Sequence, residues 1–371
     1  MTSGLLRSAP GGHATSCQRA HEHLAVTGYG IGHVLHGQTV VAHHGGFHAP
    51  TLIATAPRGR RPERDATVVA RLRRAGAVVV AKTAAWGPAD GDGRVRHPHD
   101  PSRTPGGSST GEAVVVAAGA SPLGIGSDSG GSIRLPAAWC GVFGFKPTAG
   151  LVPTTGHYPR VGARADGRTQ IGPLVQDLAM IELVLPLIAG PDDRDAGVAP
   201  VPRATPRRAA SFAVITAEGS ITADDALTTA AERAAAVLDA AGMRRVAWTG
   251  PWLADALDVT QRYWNRSRVS GADADRQLRD WDRFCSRYLA AAADVDLLLT
   301  PTVCVPAPAH RPVVGDDFVF TLPASLTGSP AISVPVDGGA PGAPLSVQLV
   351  GRPWEDAQVL AAARLIARPT A

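Results

Sequence analysis

Two serines, Ser108 and Ser132, stand in separate glycine-rich segments, and each segment leads toward a helix. Glycine has no Cβ, so the backbone around such a serine can approach a substrate closely and direct its N–H groups at an anion. A serine in these surroundings can attack a carbonyl carbon when a nearby base accepts its proton. An isolated glycine–serine turn more often caps a helix or binds phosphate, so the longer sequence around each serine has to decide between these interpretations.

The turn before the second serine suits an oxyanion. At a helix start, unpaired N–H groups point outward and the helix dipole favours negative charge. The N–H groups of Ser129, Gly130 and Gly131, together with that of Ser132, can surround the oxygen that becomes negative when a hydroxyl attacks a carbonyl. We therefore predict an oxyanion-binding turn over these residues.

Three longer motifs resemble the amidase signature family, whose members hydrolyse amides by acyl transfer to a serine. They are GGSS-x-G-E from Gly106, D-x-GGSIR-x-PA from Asp128 and FGFKPT from Phe143. The separation of the two serines also matches the family, and the similarity extends over residues 33–367. The resemblance implies an α/β fold in which a mixed, mostly parallel twisted sheet is flanked by helices.

The resemblance also assigns roles within these motifs. It implies that Ser132 is the nucleophile and that Ser108 passes a proton between Ser132 and the base. Ser109 and Asp128 are expected to orient the turn. Arg134 is expected to brace the loop by hydrogen bonds, and a purely structural ion pair is an equally open interpretation.

The family's base is a lysine, and this chain has no lysine at the corresponding position. The matching segment runs from Leu35 to His44, and its register places His43 where the family has the lysine. The chain contains only two lysines, and both match other positions of the family: Lys82 follows a buried strand, and Lys146 belongs to the FGFKPT motif.

A histidine at position 43 is a competent general base, because the unperturbed pKa of imidazole lies near about 6.5. Its reactive nitrogen reaches roughly 2 Å less far than that of lysine, and a misplacement of about 1 Å can cost about 10²-fold in rate. Two hypotheses therefore stay open: His43 handles the proton, or the site has lost its base. His44 and His48 add a local histidine cluster, but without a clear carboxylate or cysteine partner we predict no metal site.

Composition excludes several classes of protein. The 371 residues are 44% hydrophobic and 18% charged, as in a globular protein with a substantial core. The net charge of +4 is small and not concentrated in one tract, so no nucleic-acid partner is expected. No apolar leader or long apolar run occurs, and the cysteines form no CxxC pair, so we expect a cytoplasmic protein with no membrane partner, disulfide framework or cofactor.

We predict one amidase-signature domain over residues 1–371, shortened relative to most members at its N-terminus and in its middle. Residues 1–23 are expected to be poorly ordered, and residues 190–208, rich in Asp, Pro and Arg, to form an internal linker loop. The pattern also predicts a helix capped by Asp65 and an amphipathic helix over residues 172–188.

The favoured function is hydrolysis of a small amide through an acyl-enzyme on Ser132. The altered base leaves open a specialised biosynthetic reaction, such as ester cleavage, amide formation or cyclisation, and also a non-catalytic ligand-binding homologue. A component of an amidotransferase that acts on charged tRNA is less favoured, because the net charge is modest and the chain is short. The expected partner is a small amide or acyl compound, with a homodimer left open.

The substrate pocket is barely readable from the sequence. Four aromatic residues that follow the signature or lie in the middle region can line an apolar pocket, although ordinary core packing is the favoured interpretation: Tyr158, Trp252, Tyr263 and Trp264.

Overall fold

The fold is a large mixed sheet with helices packed against it. The computed structural model describes residues 40–43, 64–84, 95–158, 167–198, 200, 208–250, 253–265, 271–311, 313–340 and 342–367. The strands are β1 Val40–His43, β2 Val78–Lys82, β3 Leu123–Asp128, β4 Phe143–Lys146, β5 Gln170–Val175, β6 Ser211–Val214, β7 Ala217–Glu218, β8 Ile221–Thr222, β9 Arg244–Arg245, β10 Leu297–Pro301, β11 Ala331–Ala340 and β12 Ala343–Gly351. The helices are α1 Thr67–Arg74, α2 Thr110–Ala117, α3 Arg134–Cys140, α4 Leu178–Ile188, α5 Asp225–Ala240, α6 Leu253–Trp264, α7 Ala272–Ala291, α8 Leu322–Thr327 and α9 Asp356–Ile366.

Ten strands form one sheet in the order β2-β1-β3-β5-β4-β11-β12-β10-β6-β9, and β7 and β8 form a separate pair. Pairing is parallel at both ends of the large sheet and antiparallel through its centre. The predicted mixed α/β class is confirmed, although parallel pairing is not the majority among the described strands. Strands from both sides of residues 190–208 join this sheet. Residues 1–23 lie outside the described part of the chain.

Two local predictions are wrong at helix starts. Asp65 does not cap α1, whose N-cap is Ala66, and its carboxylate instead forms an ion pair with Arg73. The predicted helix over residues 172–188 begins only at Leu178, after an Asp177 side chain that accepts a hydrogen bond from the N–H of Ala179. Residues 172–175 belong to β5, because they pair with β3 and β4. A Cβ at Gly172 would lie 2.0 Å from the carbonyl oxygen of Phe145, so glycine allows close backbone approach there.

Strand β3, third in the sheet order, is buried along its whole length and leads to the candidate site. Its glycines make room for side chains of α2 and the residue before it: a Cβ at Gly124 would lie 2.7 Å from Oε2 of Glu112, and one at Gly126 would lie 2.6 Å from Oγ of Ser109. Because β1 and β3 are parallel, with His43 opposite Ile125, the carboxyl ends of both strands lie at one edge of the sheet.

Glu112 is a fully buried acid between α2 and the sheet, and its Oε1 accepts a hydrogen bond of 2.6 Å from Oγ1 of Thr83. Burial raises the pKa of the Glu112 carboxyl well above its usual range, against the opposing effects of that hydrogen bond and of the Lys82 charge. The folded protein therefore retains a proton that the unfolded chain releases once the pH exceeds the ordinary carboxyl pKa, and this group contributes less stability as the pH rises.

Replacing Glu112 by Gln should remove this dependence, because the amide keeps an oxygen acceptor for Thr83 and does not ionise. We expect Glu112→Gln to become more stable relative to the wild type as the pH rises from about 5 to about 8. Urea denaturation across that range measures the effect, with Glu182→Gln, which removes an exposed carboxylate from α4, as the control for the substitution itself. A constant loss of stability at every pH would contradict the prediction.

No described helix has the length and apolar character that crossing a bilayer requires.

Candidate active site

The two glycine-rich turns meet at the carboxyl end of β3. Ser109 precedes α2, and its N–H donates a hydrogen bond of 3.1 Å to the carbonyl oxygen of Ser132. The Ser109 hydroxyl also accepts a bond of 3.3 Å from the N–H of Ser127, at the end of β3. Ser109 therefore joins the two turns and brings Ser108 within one residue of the link to Ser132.

Burial distinguishes the serines from their surroundings. Within residues 104–113 and 123–140, every residue is buried except Ser108, Ser129 and Ser132, which are partly exposed. Ser108 and Ser132, the two residues predicted to do the chemistry, are thus accessible to solvent. The buried residues on either side restrict how far they can move. Partial exposure of a hydroxyl at a helix start is the arrangement that a serine nucleophile needs.

A buried ion pair holds the second turn in place. The Arg134 guanidinium donates to both carboxylate oxygens of Asp128, from Nε to Oδ2 at 2.9 Å and from Nη2 to Oδ1 at 3.0 Å. Both side chains have no exposed surface. Burial alone would raise the pKa of the Asp128 carboxyl, but the charge and hydrogen bonds of Arg134 outweigh it, and the pKa lies at about 2.

The remaining Arg134 donors tie this pair to distant parts of the chain. Nη1 donates to the Thr321 carbonyl at 2.9 Å and to Oε1 of Gln348 at 2.6 Å, and Nη2 donates to the Ser325 hydroxyl at 2.8 Å. Gln348 lies on β12 and Ser325 on α8. Arg134 therefore braces the turn through a structural ion pair, which unites the two interpretations that the sequence left open.

Asp128 also fixes the conformation of the turn itself. Its Oδ1 accepts a hydrogen bond of 2.7 Å from the N–H of Gly131. Gly131 has a φ of 111°, and a Cβ there would lie 2.4 Å from Oγ1 of Thr321, so both its conformation and the available space require glycine. The Thr321 hydroxyl in turn donates to the carbonyl oxygen of Gly130 at 3.0 Å.

This arrangement changes which N–H groups can reach a substrate. The Gly131 N–H is directed at Asp128, so the prediction that it donates to an oxyanion is not met in this structure. In the described part of the chain, no hydrogen bond occupies the N–H groups of Gly130 or Ser132. These two, with Ser129, remain the candidate oxyanion donors.

Lys146 lies behind the turn rather than serving as an exposed base. It is fully buried at the end of β4, and its Nζ donates to the carbonyl oxygen of Pro147 at 3.0 Å. Burial and the nearby Arg134 charge lower the pKa of the Lys146 ammonium to about 7, although the charges of Asp128 and Asp356 oppose this.

The backbone of His43, the base predicted from the sequence, lies at the same edge of the sheet. His43 is the last residue of β1, and in register it is opposite Lys82 of β2 and Ile125 of β3. The side chain of His43 lies outside the described part of the structure, as do His44 and His48. A catalytic role for His43 therefore stays a prediction.

The predicted pocket residues differ in their burial and in what they contact. Tyr263 is buried and packs edge-to-face on Trp281 at a centroid distance of 5.0 Å, which is the core packing that the sequence favoured. Trp264 is 43% exposed and lies against Gly130, since a Cβ built at that glycine would be 2.8 Å from Cζ2 of the indole. Tyr158 is partly exposed, and Trp252 lies outside the described residues.

Sequence reasoning missed the residues that support the turn from elsewhere in the chain. Thr321, Ser325 and Gln348 contact it from sequence distances of about 190 residues or more. Gln348 could have been found from the strand motif SVQLVG, because its amide is the one long polar side chain in that otherwise largely apolar strand segment. Nothing local identified Thr321 or Ser325.

Removing the negative partner should destabilise the fold strongly. Asp128→Asn leaves the buried Arg134 guanidinium without its counter-charge, which costs about 3–5 kcal/mol in comparable buried pairs. Because the folded pKa of Asp128 is depressed, its contribution to stability is present above the ordinary carboxyl pKa and is lost as the pH falls toward about 2.

Chemical denaturation at pH 7 and pH 3 measures both effects. Asp258→Asn is the matched control, because it removes an aspartate from a mostly exposed pair with Arg262 and should change stability by about 0.5 kcal/mol or less. Equal losses in the two variants would show that the Asp128 pair does not hold this region together.

The chain is similar to proteins of known type over most of its length. The family model described as Amidase matches residues 51–278 and 266–360. A glutamyl-tRNA(Gln) amidotransferase subunit from Symbiobacterium thermophilum is 30% identical, with 80% of this chain and 74% of that protein aligned. The fatty acid amide hydrolase of Arabidopsis thaliana is also 30% identical, and this chain spans 60% of that longer protein.

A solved structure agrees with these sequence matches. The corresponding glutamyl-tRNA(Gln) amidotransferase subunit from Thermotoga maritima has a TM-score of 0.75 at 26% identity, over 88% of this chain and 82% of that chain. The resemblance inferred from the serine motifs is therefore confirmed. The chain belongs to the Amidase family, the amidase-signature enzymes that act on carbon–nitrogen bonds.

Proposed function

We propose that this protein is a serine-dependent acyl-transfer enzyme that cleaves the amide bond of a small molecule through an acyl-enzyme on Ser132. The observation that carries the proposal is that Ser108 and Ser132 are partly exposed in two mostly buried turns, which the hydrogen bond from Ser109 N to Ser132 O joins. The relatives named above include an amide hydrolase and a component of an amidotransferase, and amide cleavage by acyl transfer is the chemistry we propose for this chain.

In the proposed reaction, Oγ of Ser132 bonds to the carbonyl carbon as its proton passes to Ser108 and on to a base. The negative oxygen of the tetrahedral intermediate accepts hydrogen bonds from the N–H groups of Gly130 and Ser132, which the buried Asp128–Arg134 pair holds in place. The carbon–nitrogen bond then breaks, and the amine leaves with a proton. Water hydrolyses the resulting ester and restores the serine.

We propose His43 as the base. Its backbone lies at the carboxyl end of β1, at the sheet edge where β3 leads into residues 128–132, which we name the signature turn. A neutral imidazole accepts a proton without the prior deprotonation that a lysine needs. An altered base also suits a better leaving group than an amine, so ester cleavage, amide formation or cyclisation in a biosynthetic pathway is the alternative reaction on the same acyl-enzyme.

A small fluorophosphonate tests the nucleophile and the base together. Intact mass and peptide mapping should find one label, on Ser132, with a rate that rises with pH around the imidazole pKa of about 6.5, because only neutral histidine accepts the proton. His43→Ala should lose most of the labelling and its dependence on pH.

Two serine variants serve as matched comparisons in that experiment. Ser132→Ala should not be labelled, whereas Ser129→Ala, which removes the other partly exposed serine of the same turn, should still be labelled at Ser132. Labelling at Ser129, or no labelling between pH 5 and 9, would contradict the proposal and favour a ligand-binding homologue without turnover. Unchanged labelling in His43→Ala would remove His43 as the base while keeping Ser132.

A further inference from the structure

An apolar surface stands directly beside the signature turn. A Cβ built at Gly130 would lie 2.8 Å from Cζ2 of Trp264 and 3.5 Å from Cδ2 of Leu322, so both side chains contact the turn at that glycine. The Phe318 ring packs on Trp264 at a centroid distance of 5.7 Å and an angle of 54°. We name the exposed Trp264 and the partly exposed Phe318 the apolar wall.

The wall lies within reach of a group bound at Ser132. Gly130 and Ser132 are two residues apart, and consecutive Cα atoms are about 3.8 Å apart, so their Cα atoms are separated by at most about 8 Å. Trp264 is 43% exposed and Phe318 is partly exposed, whereas Leu322 is fully buried. A single exposed tryptophan is ordinary on a protein surface. Trp264 differs because it contacts the turn that carries the proposed nucleophile, and we therefore consider a functional role for it.

The indole is supported from behind by a buried cation. The Cζ atom of Arg168 lies 5.8 Å from the Trp264 ring centroid and 4.9 Å from that of Tyr263. Arg168 is 1% exposed, and its Nη2 donates to the Thr260 hydroxyl at 3.1 Å. Cation–π contacts of this kind restrain the rings they touch. Trp264 is therefore presented in a fixed position, which reduces the entropy lost when a ligand packs on it.

From these contacts we propose that the apolar wall is a subsite for a flat aromatic group carried next to the reacting carbonyl, so that the substrate is an aryl or arylmethyl acyl compound. The inference rests on the proposed function, because it locates the acyl part of that substrate relative to Ser132. An aromatic ring packed on an indole gains about two- to tenfold in affinity beyond the burial of its area. Polar or branched aliphatic acyl groups lack this gain.

Two sulfonyl fluorides that differ by a phenyl ring test the subsite. In each reaction, Oγ of Ser132 bonds to sulfur, the sulfur–fluorine bond breaks, and the hydroxyl proton leaves with fluoride. The measured quantity is the ratio of the inactivation rate constants for phenylmethanesulfonyl fluoride and methanesulfonyl fluoride. Comparing this ratio between variants cancels the intrinsic reactivity of the two reagents.

We expect Trp264→Leu to lower the ratio about fivefold or more, and Trp264→Phe, which keeps a ring, to retain most of it. Trp354→Leu is the matched control, because Trp354 is similarly exposed, at 38%, and lies in the turn before α9. It should leave the ratio unchanged. An unchanged ratio in Trp264→Leu, or an equal fall in the Trp354 variant, would overturn the subsite while labelling of Ser132 would still support the proposed function.

If neither sulfonyl fluoride modifies Ser132, the subsite is decided by binding alone, and the proposed function is decided by the fluorophosphonate. Calorimetric titration with benzamide should then give weaker binding to Trp264→Leu than to Trp354→Leu. Equal binding to the two variants, or no binding to the wild type, would overturn the subsite as well.

Discussion

The buried Asp128–Arg134 ion pair is the constraint on which the candidate site depends. Two charges removed from water gain little net stability, because the cost of desolvation offsets most of their attraction. What the pair provides here is geometry: Asp128 accepts hydrogen bonds from Gly131 and Arg134, and Arg134 extends to Thr321, Ser325 and Gln348. The turn, α8 and β12 are thereby fixed relative to one another.

This constraint explains why the turn contains two consecutive glycines between serines. The Gly131 N–H is directed inward to Asp128, and its positive φ turns the chain so that Ser132 returns toward the surface. Gly130 admits the indole of Trp264 on one side and presents its carbonyl to Thr321 on the other. Each glycine therefore has a steric reason of its own, and the serines occupy the positions where the turn is open.

The contacts around Ser132 do not determine which residue serves as the base. Lys146 has a pKa of about 7, which would suit a base, yet it is buried and donates to Pro147 behind the turn. Lys82 lies at the end of β2, opposite His43 in register. The carboxyl edge of β1, β2 and β3 thus includes the position that differs from the family pattern, and it is where we place the base.

The sequence alone determined the family and the mixed α/β class, because glycine spacing and apolar strands are local patterns that a motif preserves. It also predicted a role for Ser109, Asp128 and Arg134, and the structure places their hydrogen bonds in and around the two turns. It did not distinguish β5 from a helix at residues 172–175, since pairing with β3 and β4 is what makes a strand there. The inward direction of the Gly131 N–H, the supporting Thr321, Ser325 and Gln348, and the contact of Trp264 with Gly130 were decided by tertiary structure. Each of these features depends on contacts between residues far apart in the chain, and a local sequence pattern does not specify which distant residue makes the contact.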